Sequence, residues 1–336
     1  MIPVARPVLP AENPPTARAE PTCLSRDLVL GLVHGYPAAM TLPFLDSLRA
    51  VAPHAQVILA SSEISDATRH QLRALGCTLL PYRYHSVSLA GRKIRPGNTR
   101  WNFFHTRYAA WINALPGLSA RTKLRLRARV VRHFLDPNTR RFVEFFLALR
   151  EILPTFDRVL LSDLRDVVFQ RNPFELITGE GILYGLEDSA VTIGSHWANS
   201  LWVERVGGAA LRDALAPHRV SCVGVVLASG AVMAEYLDHL VAALTQPGFN
   251  LAHFHGADTG AHNIVVRRET LPNQRYADFT TGGILNMHGL KPDCIRWTAD
   301  GLLGDATGRP IPIIHQYDRH PAVAARLFQR LALTAL

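Results

Sequence analysis

The stretch Val159–Phe174, VLLSDLRDVVFQRNPF, constrains this chain more than any other. Its opening apolar run reads as a buried strand, which at Ser162 gives way to two acids, Asp163 and Asp166, spaced around Arg165. In an open, mostly parallel α/β sheet, ligands collect beyond the carboxyl ends of the strands, where this run delivers Asp163. Two carboxylates so close repel each other unless a cation lies between them or one keeps its proton. The pair therefore calls for a hard divalent ion, Mn or Mg, and with it a phosphate-bearing ligand. A local alternative needs no ion: Asp163 caps the next turn, and Asp166 pairs with Arg165 or another nearby arginine.

The first part of the chain supplies a sheet around that strand. Leu28–Val33, Gln56–Ala60 and Cys77–Leu80 read as strands. Thr41–Val51 reads as a helix capped by Thr41, with Phe44, Leu45, Leu48 and Val51 on one face. Ile64–Leu75 reads as a second helix, with Ser65 as its cap and Gly76 as its stop. No G-x-G-x-x-G follows the first strand, which argues against a dinucleotide dehydrogenase. The turns His34-Gly35-Tyr36 and Ser61-Ser62-Glu63 stand at strand ends, either as a seat for a base and ribose or as ordinary surface turns.

From Tyr82 to Asn138 periodicity is poor and basic residues are dense. The aromatics Trp101, Phe103, Phe104, Tyr108 and Trp111 have spacing that suits the packed face of a helix and, secondarily, an acceptor platform. Asp136-Pro137-Asn138-Thr139 then opens a helix that buries Phe142, Phe145, Phe146, Leu149 and Ile152, with Arg140 and Arg141 in its first turn. Arg140 suits an exposed helix end. Beyond Phe174, Gly181–Leu186 reads as a strand delivering Glu187 and Asp188 into a loop ending near Trp197 and Asn199, where they serve as hydroxyl ligands, as a general base, or as ordinary loop polars. Val220–Ala228 reads as a buried strand, and Ser229 as the cap of a helix burying Val232, Met233, Tyr236, Leu237, Leu240, Val241 and Leu244.

The 336 residues, 48% hydrophobic and 19% charged, suit one large α/β domain with an ample core. The net charge of +9, mostly arginine in Arg92–Arg107, Arg121–Arg132 and Arg140–Arg141, favours anionic partners: a diphosphate, an acidic glycan, a membrane surface or nucleic acid. The middle cluster lacks the interleaved aromatics that stack bases, so a solvated helix face is expected there and nucleic acid is set aside. Cys23, Cys77, Cys222 and Cys294 lie far apart, as suits a reducing compartment. No signal-peptide core or membrane-length run is present, and a cytoplasmic protein is expected.

The longer string DRVLLSDLRDVVFQRNPFE resembles the aspartate motif of the GT-A glycosyltransferases, the nucleotide-diphospho-sugar transferase superfamily. The resemblance implies an α/β fold: a GT-A-like, Rossmann-type mixed sheet flanked by helices. It divides the chain into a flexible leader (1–26), a catalytic domain (27–321) with a nucleotide-binding half (27–174) and an acceptor half (175–321), and a C-terminal helix (322–336). Arg165 stands where a strict D-x-D has its second acid, and Asp166 follows one place later. The implied metal ligands are Asp163, Asp166 and one late histidine. His315 in PIIHQYDRHP, with Arg319 close behind, is preferred to His288 with Lys291.

SCVGVVLASGAVMAEYL resembles the strand that runs beneath the donor sugar, where the small residues Ser221, Cys222 and Gly224 let a ring approach the backbone. HGADTGAHNIVVRR resembles a D-Q-x-x-x-N helix start, with Asp258 and Asn263 matching and Thr259 in place of glutamine; Asp258 serves equally well as a helix cap. Donor-binding candidates are therefore His34, Gly35, Tyr36, Arg141, Asp163, Arg165, Cys222, Gly224, Asn263 and Arg319. Catalytic candidates are Asp258, Glu187 and Asp188. The implied reaction is metal-assisted transfer of a sugar from a nucleoside-diphosphate donor to a hydroxyl acceptor, a glycan that the basic charge would let be acidic. A non-catalytic binding protein with a decayed metal site is the alternative. A haloacid-dehalogenase-type phosphatase fits less well, because it wants its nucleophile on the first strand whereas Asp163 lies mid-chain.

Overall fold

Seven strands form the main sheet of the structure, a computed structural model, in the order Gln274–Ala277, Ile182–Leu186, Ser221–Ser229, Arg158–Ser162, Asp27–His34, Gln56–Ser62 and Cys77–Pro81. It describes residues 26–84, 87–89, 92–94, 101–246 and 255–332, excepting the side chains of 87–89, 92–94, 101–105 and 292. The expected leader thus lies almost wholly outside the described residues, as do the side chains of Trp101, Phe103 and Phe104. Ser221–Ser229 runs antiparallel to both neighbours and every other pairing is parallel, which gives the mixed Rossmann-type sheet expected.

The central strands are buried on both faces, and that is why they read as continuous apolar runs. Leu28, Leu30 and Leu32 face a core built from Phe142, Phe145, Phe146 and the helix Gly230–Leu244. Val29 and Val33 face the opposite core, with Phe44, Leu45, Leu48 and Leu72. Arg158 holds Asp27 through Nε to Oδ1 at 2.7 Å and Nη2 to Oδ2 at 2.9 Å, fastening the acidic strand to the first one.

A three-stranded sheet joins this one end-on. Val167–Phe169 pairs antiparallel with Ile313–His315, which in turn pairs parallel with Ile284–Asn286. The chain passes from the large sheet at Ser162 to the small one at Val167, so residues 163–166 span the seam.

Several local expectations change. Thr41 does not cap: a 3-10 turn, Ala38–Thr41, precedes the helix Leu42–Val51, and the Thr41 hydroxyl donates to Ala38 O at 2.7 Å. Ser229 sits at the start of Gly230–Leu244 but makes no capping bond with its side chain. Ile152 is 44% exposed because the helix Pro137–Leu149 ends before it. Arg140 is not an exposed helix end: it is buried, with Nε on Glu144 Oε1 at 2.7 Å and its guanidinium over the Tyr82 ring. Ser65 does cap Asp66–Ala74, and Asp136 caps Pro137–Leu149. On the basic helix Ala120–Val131, Arg121 and Arg125 reach Glu151 at 3.9 and 3.3 Å, as suits a solvated face.

Gly230 opens its helix with no room to spare. A Cβ there would lie 2.1 Å from Leu153 O and 2.3 Å from Phe156 O. Gly230→Ala should therefore destabilise the protein in urea unfolding, despite alanine's advantage of about 1 kcal/mol in helix propensity. A stability gain would show that the helix can slide away from those carbonyls.

Candidate functional site

The seam between the sheets opens into a cavity of about 500 Å³. Asp163 and Asp166 enter it from the crossing segment, and His315 from the end of the facing small-sheet strand. Two backbone bonds fix the acids: Asp163 N donates to Gly224 O, and Gln316 N donates to Asp166 O, each at 2.7 Å. The three side chains present ligand atoms that all lie within 4.8 Å of one another.

The tautomer of His315 follows from its neighbours. Its Nδ1 lies 2.8 Å from Asn286 Oδ1, and Asn286 spends its own amide N–H on Leu186 O at 3.0 Å. Nδ1 is thus the protonated nitrogen. The lone pair of Nε2, buried and without a hydrogen-bond partner, then points to Asp163 Oδ2 at 3.6 Å and Asp166 Oδ1 at 3.8 Å. Three electron-rich atoms facing one point require a cation or a proton between them, and one N with two carboxylate O is a donor set that accepts Mn or Mg.

Without an ion, protons do this work. Burial opposes charging His315, yet Cys222, Asp166 and Asp163 outweigh it and hold the imidazole well above its usual range. Burial likewise opposes charge on Asp163, but Arg141 and His315 hold that carboxyl well below the usual range, and Arg141 Nη1 donates to its Oδ1. Asp166 moves the opposite way: burial raises it against the pull of His315, with the charges of Asp163 and Asp318 adding to the rise. Asp163 is paired with Arg141 rather than capping, and Arg165 reaches Asp318 at 3.5 Å.

A Cβ at Gly224 would meet His315 Cε1 at 2.4 Å and Asp163 Oδ2 at 2.7 Å, so the cluster of acids and histidine itself excludes a side chain there. His34, Tyr36, Arg141, Arg165, Cys222, Asp258, Glu187 and Arg319 also line the cavity. Two of these are perturbed acids. Burial pushes Glu187 up to about 7, and its Oε2 has no partner. Burial, with Asp136 nearby, pushes Asp258 up to about 6 against the pull of Arg141. Asp258 begins the helix Ala257–Arg267 and accepts from Thr259 N at 3.0 Å.

The structure does not bring Gly35, Asp188, Asn263 or Lys291 into the cavity lining. Gly35 holds the turn at φ +70° with its N–H on Ser62 O, and Asp188 accepts from Ala190 N. Asn263 bolts its helix to the sheet: it accepts from Ser221 N at 2.9 Å and donates to Ser221 O at 3.0 Å. Ser221 bonds His262 Nε2 at 2.8 Å, while His262 Nδ1 meets Tyr236 OH at 2.7 Å. Burial drops His262 to about 3, so this serine–histidine pair is a neutral, sealed strut. Sequence reasoning missed Asn138, His196, Trp202, His255 and Gln316 in the lining and passed over Asn199 as a loop end. Only His196, three residues before Asn199, carried a legible signal, that of a helix N-cap.

No protein-family model matches the chain, and no curated protein matches it. Among solved structures it is similar to that of a galactosyltransferase, LgtC, in complex with donor and acceptor sugar analogues. The TM-score is 0.44 at 12% identity, over 92% of this chain and 97% of that one.

The Arg141 pair separates the two acids experimentally. Asp163→Asn strands a buried guanidinium and should lower stability, by about 1–3 kcal/mol because Asp163 is itself one-third exposed. Asp166→Asn removes a crowded carboxyl and should leave stability unchanged or higher. Equal losses in the two variants, measured by chemical denaturation, would contradict this assignment of charge.

Proposed function

We propose that the chain is a metal-assisted glycosyltransferase that moves a sugar from a nucleoside-diphosphate donor to a hydroxyl acceptor. The observation that carries this reading is the convergence of Asp163, Asp166 and the Nε2 lone pair of His315 in a cavity also lined by Arg141, Arg165 and Arg319. Asp163, Asp166 and His315 would hold Mn or Mg, which when bound neutralises charge gathering on a departing diphosphate. The arginines add fixed positive charge for the same oxygens. His34 and Tyr36, at the carboxyl end of the first strand, are assigned to the base and ribose, and Gly35 to the turn that presents them. Asp258 and Cys222 are assigned to the donor sugar, with Asn263 and Gly224 supporting them from behind.

In the transfer, the bond from the anomeric carbon to the diphosphate oxygen breaks and leaves its electron pair on that oxygen. The acceptor oxygen bonds to the carbon, and its hydroxyl proton passes to the Glu187 carboxylate. A carboxyl raised to about 7 suits a base working near neutrality. Asp188, next to it, is assigned to holding the loop. The free thiols Cys77, Cys222 and Cys294 suit a reducing compartment such as the cytoplasm, and among the described residues no helix is long and apolar enough to cross a membrane.

The direct test is a thermal-shift screen of nucleotide sugars with and without Mn or Mg, since a ligand that binds the native state raises its melting temperature. A donor should act only with the ion present. His315→Ala should weaken ion-dependent binding at least 10-fold, and His288→Ala far less. Indifference of every nucleotide sugar to metal would sink the reading.

Glu187 gives a second test through pH. Its folded pKa, about 7, lies above the ordinary value of 4.5, so the stability it contributes is full below about pH 4.5 and lost as pH rises through 7. Glu187→Gln should therefore melt higher than the parent at pH 8, by about 2 °C or more, and equal to it at pH 4.5. It should also lose transfer activity. A melting difference that does not change with pH would show that Glu187 is not a buried titrating group.

A further inference from the structure

Part of the cavity wall carries buried oxygens that lack a hydrogen-bond partner. Asn199, in the helix Trp197–Gly207, is 3% exposed and faces the cavity. His196 caps that helix, and its Nδ1 accepts the Asn199 backbone N–H at 3.4 Å, so Nδ1 carries the lone pair. The Asn199 side chain contacts the same Nδ1 at 3.1 Å and must do so through its NH₂ group. This fixes the amide with Oδ1 turned away from His196, and Oδ1 is buried without a partner. Glu187 Oε2 is a second buried oxygen on this cavity without a partner.

Trp202 follows Asn199 by three residues, on the same side of the helix, and also lines the cavity. Its indole lies against Gly256, where an added Cβ would fall 2.1 Å from Cε2, and His255 meets the ring edge-on at 6.4 Å. An aromatic surface beside polar atoms that need hydroxyls is suited to a sugar ring, with its C–H face on the indole and its O–H groups on the oxygens.

We propose that Glu187, Asn199 and Trp202 form a subsite for an uncharged sugar, and that this subsite makes the acceptor neutral rather than acidic. The proposal names the acceptor class for the transfer put forward above and rests on that reading. A carboxylate or phosphate has no proton to give Asn199 Oδ1, and it repels Glu187 whenever that group is ionised. A hydroxyl satisfies both oxygens, and it satisfies Glu187 in either protonation state, because it donates and accepts. The chain's net positive charge speeds encounter with anions, but the fit at this wall is decided at hydrogen-bond range.

The test is saturation-transfer NMR on the full chain, without nucleotide, using methyl β-galactoside, methyl β-glucoside and glucuronate. At least one neutral glycoside should bind, with glucuronate at least 10-fold weaker. Asn199→Leu and Trp202→Leu should each weaken the neutral glycoside at least 10-fold while manganese affinity stays at the parent value. Tighter binding of glucuronate, or neutral binding that survives Asn199→Leu, would overturn the subsite. Manganese binding with no glycoside binding would also overturn it while leaving the transferase reading standing, whereas glycoside binding without manganese binding would do the reverse.

Discussion

Everything near the cavity depends on holding like charges together. Asp163, Asp166 and the Nε2 of His315 are forced to face one point at the seam of two sheets, and the surrounding structure makes that arrangement tolerable. Gly224 gives up its side chain so that the antiparallel strand can pass behind the cluster. Asn286 takes the imidazole's proton-bearing side and so turns its lone pair inward. Arg141, buried within the helix Pro137–Leu149, supplies a permanent counter-charge to Asp163. Each of these residues would be an odd choice alone and is explained by the same repulsion.

The division of charge between the acids also matters. Asp163 has a fixed partner and stays ionised, while Asp166 has none comparable and is raised. The site is thus not a symmetric pair of carboxylates: one is anchored to the large sheet's helix layer, and the other is left without a fixed counter-charge of that kind. Arg165, between them in sequence, turns toward Asp318, which shows that adjacency along the chain says little about pairing at a crossing segment.

Six of the large sheet's seven strands were legible within a residue or two, the central ones because they are buried on both faces and read as uninterrupted apolar runs, whereas the mostly unburied edge strand Gln274–Ala277 was not read. The helices whose caps are made by side chains at the right spacing, Ser65 and Asp136, were legible for the same local reason. Thr41 and Ser229 misled because a capping residue type does not guarantee a capping bond when a 3-10 turn or a crowded glycine sets the entry. The small sheet left almost no trace, since its strands of three residues are defined by partners far away in the chain. An apolar run precedes both His288 and His315, and His315 could be preferred only because PIIHQYDRHP reads as a strand end emptying into a polar loop with Arg319 close behind. Nothing local distinguishes Asn286 or Asn199, whose roles are made by the groups that the fold sets opposite them.

The seam has a mechanical consequence. The chain enters it from one sheet and leaves in another, and direct bonds close it: Asn286 Nδ2 to Leu186 O at 3.0 Å, Phe169 N to Ser47 Oγ at 3.1 Å, Gln316 N to Asp166 O, and Tyr317 OH to Arg165 O at 2.9 Å. An ion held by Asp163, Asp166 and His315 would act there as a rivet between two plates. Its binding energy would become energy of cohesion, available only while both sheets stay in register. Loading the site and locking the two sheets would then be one event, with the acids setting how firmly the halves of the molecule grip each other.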